Sequence, residues 1–167
     1  MPEEYNLNST GIQNSTGYFA PLKVIKPETT SRLNTAAFAI DPDLVVPISP
    51  FQVMTWKCML VWGGNSPGNA QAQFTTPAAP GQGGFHFKYY DAAAALQNGI
   101  ATLIGAYNLA VNMLVNGGAN SVEIALFEGY LVNGANGGYF SVDWAQNGVN
   151  ATPTLLQKGS YLEAWFQ

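Results

Sequence analysis

Clusters of Gly, Asn and Pro punctuate this chain at intervals that leave room for strands and for little else. Such runs occupy residues 63–68, 77–84, 116–119, 133–138 and 147–148, and each residue type in them favours a turn for its own physical reason. Asn-Gly between alternating runs is the strongest short-range hairpin signal, and it occurs at Asn116-Gly117, Asn133-Gly134 and Asn147-Gly148.

The segments between the clusters carry strand patterns. Residues 85–90 alternate, a short strand is expected around 72–75, and residues 103–115 place Leu103, Tyr107, Leu109, Val111, Met113 and Val115 on one face. A strand follows at 122–131. Another at 139–146 puts Phe140, Val142 and Trp144 together, and residues 155–166 close the sheet. The apolar run 51–62 predicts a central strand covered on both faces. Leu44-Val45-Val46-Pro47-Ile48 predicts a strand that Pro47 confines to an edge or an end, entered through a turn at Asp41-Pro42-Asp43. One stretch has helical character: Ala92 to Ala95 with Asp91 as cap and Asn98-Gly99 as stop. An irregular crossing loop would serve there equally. The pattern predicts an all-β chain, a jelly-roll-like antiparallel β-sandwich over residues 31–167.

Residues 1–30 lack a core pattern and are rich in Asn, Ser, Thr and Pro. They predict an extended N-terminal arm. Its isolated apolar residues, Tyr18, Phe19, Leu22, Val24 and Ile25, are candidate anchors on a protein partner, since arms of this kind order on what they bind.

Charged residues make up 10% of the chain and hydrophobic ones 47%, against about 25% charged in an ordinary domain. A surface so poor in charge must be built from amides, hydroxyls and small residues, which suits a protein packed against other protein. Lys23, Lys26, Arg32, Lys57, Lys88 and Lys158 are scattered and the net charge is −4. Nucleic-acid binding needs a clustered basic footprint, so no nucleic-acid partner is expected. No apolar run is long enough for a transmembrane helix, and the acidic, polar opening MPEEYNLNST does not resemble a signal peptide.

Residues for catalysis are sparse. His86 is the sole histidine and Cys58 the sole cysteine, which leaves no donor set for a thiolate or imidazole metal centre. His86 is expected as a surface strand residue and Cys58 as a buried small hydrophobe. Glycosidases need only two carboxylates. Glu123 and Asp143, on strands that can neighbour each other, are the pair to consider; Glu123 and Glu128 must face opposite sides. Asp41 and Asp43 have calcium-type oxygens that a turn explains without a metal. Trp56, Trp62, Trp144 and Trp165 fit either a core or a sugar-stacking platform. The expectation is a protein without enzymatic activity, cofactor, metal, membrane partner or small-molecule substrate.

Two blocks taken together resemble a known group. One runs from Arg32 through Asp41-Pro42-Asp43-Leu44 and Val45-Val46-Pro47-Ile48 into an aromatic-bearing strand ending near Val61. The other runs from Phe140-Ser141-Val142-Asp143-Trp144-Ala145-Gln146 through Leu155-Leu156-Gln157-Lys158-Gly159-Ser160-Tyr161-Leu162. Both are similar to small virion proteins of tailed bacteriophages, of the head decoration (cement) or minor tail kind. The resemblance implies a jelly-roll-like fold, a homotrimer, a place on the virion capsid surface, and the major capsid protein of the phage head as partner. The alternative is a tail or fibre adhesin that binds host cell-surface glycan or protein. A carbohydrate-active enzyme or binding module is a third reading, and it lacks a recognisable acid pair.

Overall fold

The computed structural model describes residues 6–8, 11–13, 20–63, 69–90, 95–103, 108–113 and 122–167. Among these the regular structure is all strand: β1 (Asn6–Asn8), β2 (Gly11–Gln13), β3 (Leu22–Ile25), β4 (Thr30–Arg32), β5 (Ala39–Ile48), β6 (Val53–Gly63), β7 (Ala70–Thr75), β8 (Gln82–Tyr90), β9 (Leu96–Leu103), β10 (Asn108–Met113), β11 (Glu123–Val132), β12 (Gly138–Gln146), β13 (Thr154–Leu156) and β14 (Tyr161–Phe166). β1 and β2 pair with each other. The larger sheet runs β3-β14-β6-β11-β8-β9, with β13 joining β6 to β4, and the smaller runs β10-β7-β12-β5. Every strand pairing is antiparallel, and the two sheets pack as the expected jelly-roll-like sandwich.

Aromatic rings fill the space between the sheets. Trp56 of β6 meets Phe74 of β7 with ring centroids 4.5 Å apart and Phe140 of β12 at 5.0 Å. Phe85 of β8 and Phe127 of β11 reach Phe74 at 5.1 Å each. Nearer one end, Trp62 and Trp144 meet edge to face at 5.5 Å. Phe140, Val142 and Trp144 are all buried, as their shared parity predicts. Residues of this size dominate the burial energy of a core, and tilted or edge-on contacts add to it.

A second bond between the sheets is ionic. Lys26, just past β3, is 1% exposed. Its Nζ donates to Asp41 Oδ2 at 2.7 Å and to Asp43 Oδ2 at 3.0 Å. Trp144 Nε1 donates to the same Asp41 oxygen at 3.2 Å. The Lys26 backbone is tied as well, its N–H donating to the Ser160 carbonyl and its carbonyl accepting from the Gly159 N–H. Gly159 has φ +87°, a left-handed turn that glycine adopts without strain. A buried ammonium must be paired to be tolerated, and this one joins the larger sheet to β5 and β12.

Several expectations change. Asp41-Pro42-Asp43 is not a turn before a strand but an irregularity inside β5. Ser141 pairs Val45 whereas Asp143 pairs Ile40, so residues 41–44 bulge opposite Val142, and the bulge is what turns Asp41 inward to Lys26. β5 is an edge strand, as Pro47 requires. The sequence boundary at residue 30 falls inside the larger sheet, since β3 pairs β14 from Leu22 to Ile25. The stretch is short and flanked by Pro21 and Pro27, which hides its strand character. Of the expected helix, residues 91–94 lie outside the described residues, and residues 96–99, expected to hold its end, are strand. Gly99 lies opposite Phe87, and a Cβ there would stand 2.5 Å from the ring, so this glycine makes room for an aromatic and does not end a helix. The run 103–115 divides into β9, which ends at Leu103, and β10, which crosses to the smaller sheet. β6 is central but covered on one face only: Met54, Trp56, Cys58, Leu60 and Trp62 are buried, while Thr55 and Lys57 are exposed.

Replacing Lys26 with Met should cost about 3–5 kcal/mol, because Asp41 would stay buried without its counter-charge; urea denaturation followed by tryptophan fluorescence measures this. Trp144→Ala should cost about 3–5 kcal/mol in the same assay, and an unchanged unfolding midpoint would contradict its place between the sheets.

Candidate interaction face

The outward face of the larger sheet is built from residues of one parity on each strand: Lys23 and Ile25 on β3, Tyr161, Glu163 and Trp165 on β14, Thr55 to Val61 on β6, Ile124 to Tyr130 on β11, Gly84 to Tyr90 on β8, and Leu96 to Ile100 on β9. Strand register arranges them in rows that cross the sheet. The middle row reads Lys23, Glu163, Lys57, Glu128, His86, Ile100. On one side of it runs Ile25, Tyr161, Met59, Leu126, Lys88, Asn98, and beyond that Val61 beside Ile124 and Tyr90 beside Leu96. On the other side runs Trp165, Thr55, Tyr130, Gly84.

The middle row alternates in sign from Lys23 to Glu128. Lys57 Nζ lies 3.0 Å from Glu128 Oε1 and His86 Nε2 lies 3.4 Å from Glu128 Oε2. The hydrogen bond from Lys57 holds the Glu128 carboxyl below its usual range; desolvation, the next largest effect, opposes it, and the charges of Lys57, His86 and Lys88 add to the lowering. The same bond raises Lys57. Lys23 Nζ sits 4.1 Å over the Tyr161 ring, a cation–π contact. These are surface interactions, each worth little to stability.

The flanking rows are largely apolar, and the face as a whole carries exposed large hydrophobic residues. Ile25, Tyr90, Leu96, Ile100, Val122, Ile124, Leu126 and Tyr130 are all exposed, Ile100 to 84%. Shallow grooves run between them. One of about 300 Å³ lies among Gly84, His86, Ile100 and Tyr130, and one of about 480 Å³ among Thr55, Lys57, Glu128 and Trp165. A third, of about 550 Å³, is lined by Tyr90, Leu96, Val122 and Ile124. Single exposed apolar residues are ordinary, but a contiguous set on one face marks an interaction surface.

Of the anchors expected from the sequence, Tyr18 and Phe19 lie outside the described residues. Leu22 and Val24 pack partly buried against the core, so they hold β3 to the sandwich. Ile25 points outward beside Tyr161 on the open face. Sequence reasoning missed the rest of the face. The signal was present in β11, where Ile124, Leu126 and Tyr130 make the outward positions nearly as apolar as Ala125, Phe127 and Leu131 inward.

The groups considered for chemistry are dispersed. Glu123 stands on β11 and Asp143 on β12, in different sheets. Asp143 is occupied by hydrogen bonds from Gln73 Nε2, Thr75 Oγ1 and Ser141 Oγ. Asp41 and Asp43 hold Lys26. Trp56, Trp62 and Trp144 are buried, which removes three of four rings from any sugar platform. Cys58 is buried and its thiol is pushed well up by desolvation, which disfavours the reactive thiolate. Among the described residues no group of three or more His, Cys, Asp or Glu is arranged for a metal ion.

No family model and no curated protein matches the chain. Among solved structures it aligns with the infectious bursal disease virus Gx strain at 10% identity and TM-score 0.21, over 98% of this chain and 44% of that one. The VP2 subviral particle of the same virus aligns at 10% identity and TM-score 0.23, over 98% and 44%. The T13 viral particle gives 7% identity and TM-score 0.23, over 99% and 43%. The chain thus spans less than half the length of these proteins, and similarity at this level assigns nothing to it.

In an NMR titration, the Glu128 carboxyl should titrate below the ordinary glutamate value of about 4.3, and Lys57→Met should move it back up. Because its folded pKa is depressed, whatever this pair adds to stability is present above the unfolded pKa and lost as pH falls through the folded one. The pair is solvent-exposed, so the melting temperature should scarcely change.

Proposed function

We propose that this chain is a non-enzymatic structural protein of a tailed-phage particle, a head decoration or cement protein that trimerises on the shell and binds the major capsid protein. The observation that carries this reading is the open face of the larger sheet: eight exposed large apolar residues on one side of a sandwich whose core is already complete. A second, independent support is the resemblance of residues 32–61 and 140–162 to small virion proteins of this kind. A cement protein acts by mass action. It binds the assembled shell and not the dissociated subunits, so shell stability rises with occupancy. Interfaces of that permanence are large and apolar, and a chain with 10% charged residues has the surface for them. The residues ahead of β3 remain the stretch proposed to reach a neighbouring subunit.

A tail or fibre adhesin for host glycan or protein is the second reading. The two grooves beside Glu128 favour it, because Tyr130 and the half-buried Trp165 offer ring faces there next to Lys57, Glu128 and His86.

Gold-labelled antibody against this protein, imaged by electron microscopy on intact virions, tests both. Label over the head is the expected result. Label confined to the tail tip would favour the adhesin, and particles without label would defeat both readings.

A further inference from the structure

We propose that two copies of this chain pair face to face through the outer face of the larger sheet, across a two-fold axis parallel to the strands and midway between β6 and β11. The inference rests on the reading above that the protein works by packing against copies of itself, and it names the surface.

The six strands β3-β14-β6-β11-β8-β9 place that axis at the centre of the face, so a two-fold there gives the greatest overlap. It exchanges β6 with β11, β14 with β8 and β3 with β9. In the middle row, Lys57 of one copy then faces Glu128 of the other, and Glu163 faces His86. A Lys–Glu pair is complementary to its own reversed image, and Lys57 and Glu128 stand at the centre of this row. In the next rows Met59 faces Leu126 and Val61 faces Ile124. On the other side of the ladder the half-buried Trp165 faces Gly84, a bulky ring opposite a position with no side chain. At the centre of the face charge meets opposite charge, aliphatic meets aliphatic and the ring meets a gap, while at its margins Lys23 faces Ile100 and Ile25 faces Asn98.

The rows cover five inter-strand gaps of about 4.8 Å and, from Thr55 to Val61, six residue steps of about 3.4 Å, a projected face of roughly 490 Å². This is small beside the standard of about 800 Å² per partner, so the paired charges at the centre and not area set the register. Sheets packed face to face cross at about 30°, which loosens the corners and keeps the central pairs together. The contact is isologous, whereas a three-fold ring uses heterologous contacts. A trimer formed through other surfaces can therefore still pair with a second trimer through this face.

Sedimentation equilibrium of the full chain decides it. The wild type should contain an even number of copies, and Leu126→Glu should halve the mass. Lys57→Glu and Glu128→Lys should each halve it alone, and an equimolar mixture of those two variants should recover the paired mass, because each then faces its opposite. Leu126, Lys57 and Glu128 are exposed or half-exposed, and circular dichroism checks that each variant is folded; if Leu126→Glu fails to fold, the charge-reversal pair decides alone. A wild-type monomer, an odd-numbered assembly, or a mass unchanged by these substitutions would overturn the paired face. A trimer indifferent to Leu126→Glu would do so while leaving the virion reading intact. Pairing that behaves as described in a protein absent from virions would leave the face standing and defeat the virion reading.

Discussion

The buried ammonium of Lys26 constrains more of this structure than any other single group. It lies where the first residue of the β3–β4 connection meets the bulge of β5, at which Asp41 leaves the regular pairing with β12. The same carboxylate accepts from the Trp144 indole, so the ring that meets Trp62 is oriented by the charge pair as well as by packing. Arg32 completes the corner. Its guanidinium lies 4.4 Å from the Trp144 ring and donates to the carbonyls of Trp144 and Ile40. Buried pairs of this kind often contribute little net stability and are strongly destabilising when halved. Their effect is to specify one arrangement, here the register of the two sheets at one end.

The two faces of the larger sheet divide the work. The inward face supplies Trp56, Phe85 and Phe127 to a core that needs nothing further. The outward face is not needed for folding, yet it carries Ile124, Leu126, Tyr130 and Ile100 into solvent. Such residues favour association and raise the hazard of indiscriminate sticking. The alternating row from Lys23 to Glu128 restrains that tendency. Like charges forced together are costly, so a row of this kind disfavours partners that do not match its signs.

What could be read from the sequence follows from how local each signal is. Phe140, Val142 and Trp144 were legible as one buried face because alternation needs only neighbouring residues. The placing of β5 at an edge or an end was legible for the same reason, from Pro47. Lys26 was not, because its burial depends on Asp41 and on a bulge set by β12, far along the chain. The 96–99 segment resembled a helix end because Gly99 looks alike whether it terminates a helix or accommodates Phe87. The interaction face was obscured most thoroughly. Met59 and Val61 outward are as apolar as Leu60 inward, so β6 reads as a strand buried on both sides when one side is open. The apolar composition that blurs the period is itself the sign of the face.

The two margins of the larger sheet are unlike. β3 is short, carries Lys23, and is closed at either end by Pro21 and Pro27, all of which discourage a further strand from joining. β9 is eight residues long, and Leu96-Gln97-Asn98-Gly99-Ile100-Ala101-Thr102-Leu103 contains neither a charge nor a proline. Its ladder partner among the described residues is β8 alone. If the sheet were ever to lengthen by hydrogen bonding in its own plane, it would grow in one direction, from β9 outward. Any crowding of copies on a surface would bring that uncharged margin within reach of its neighbours.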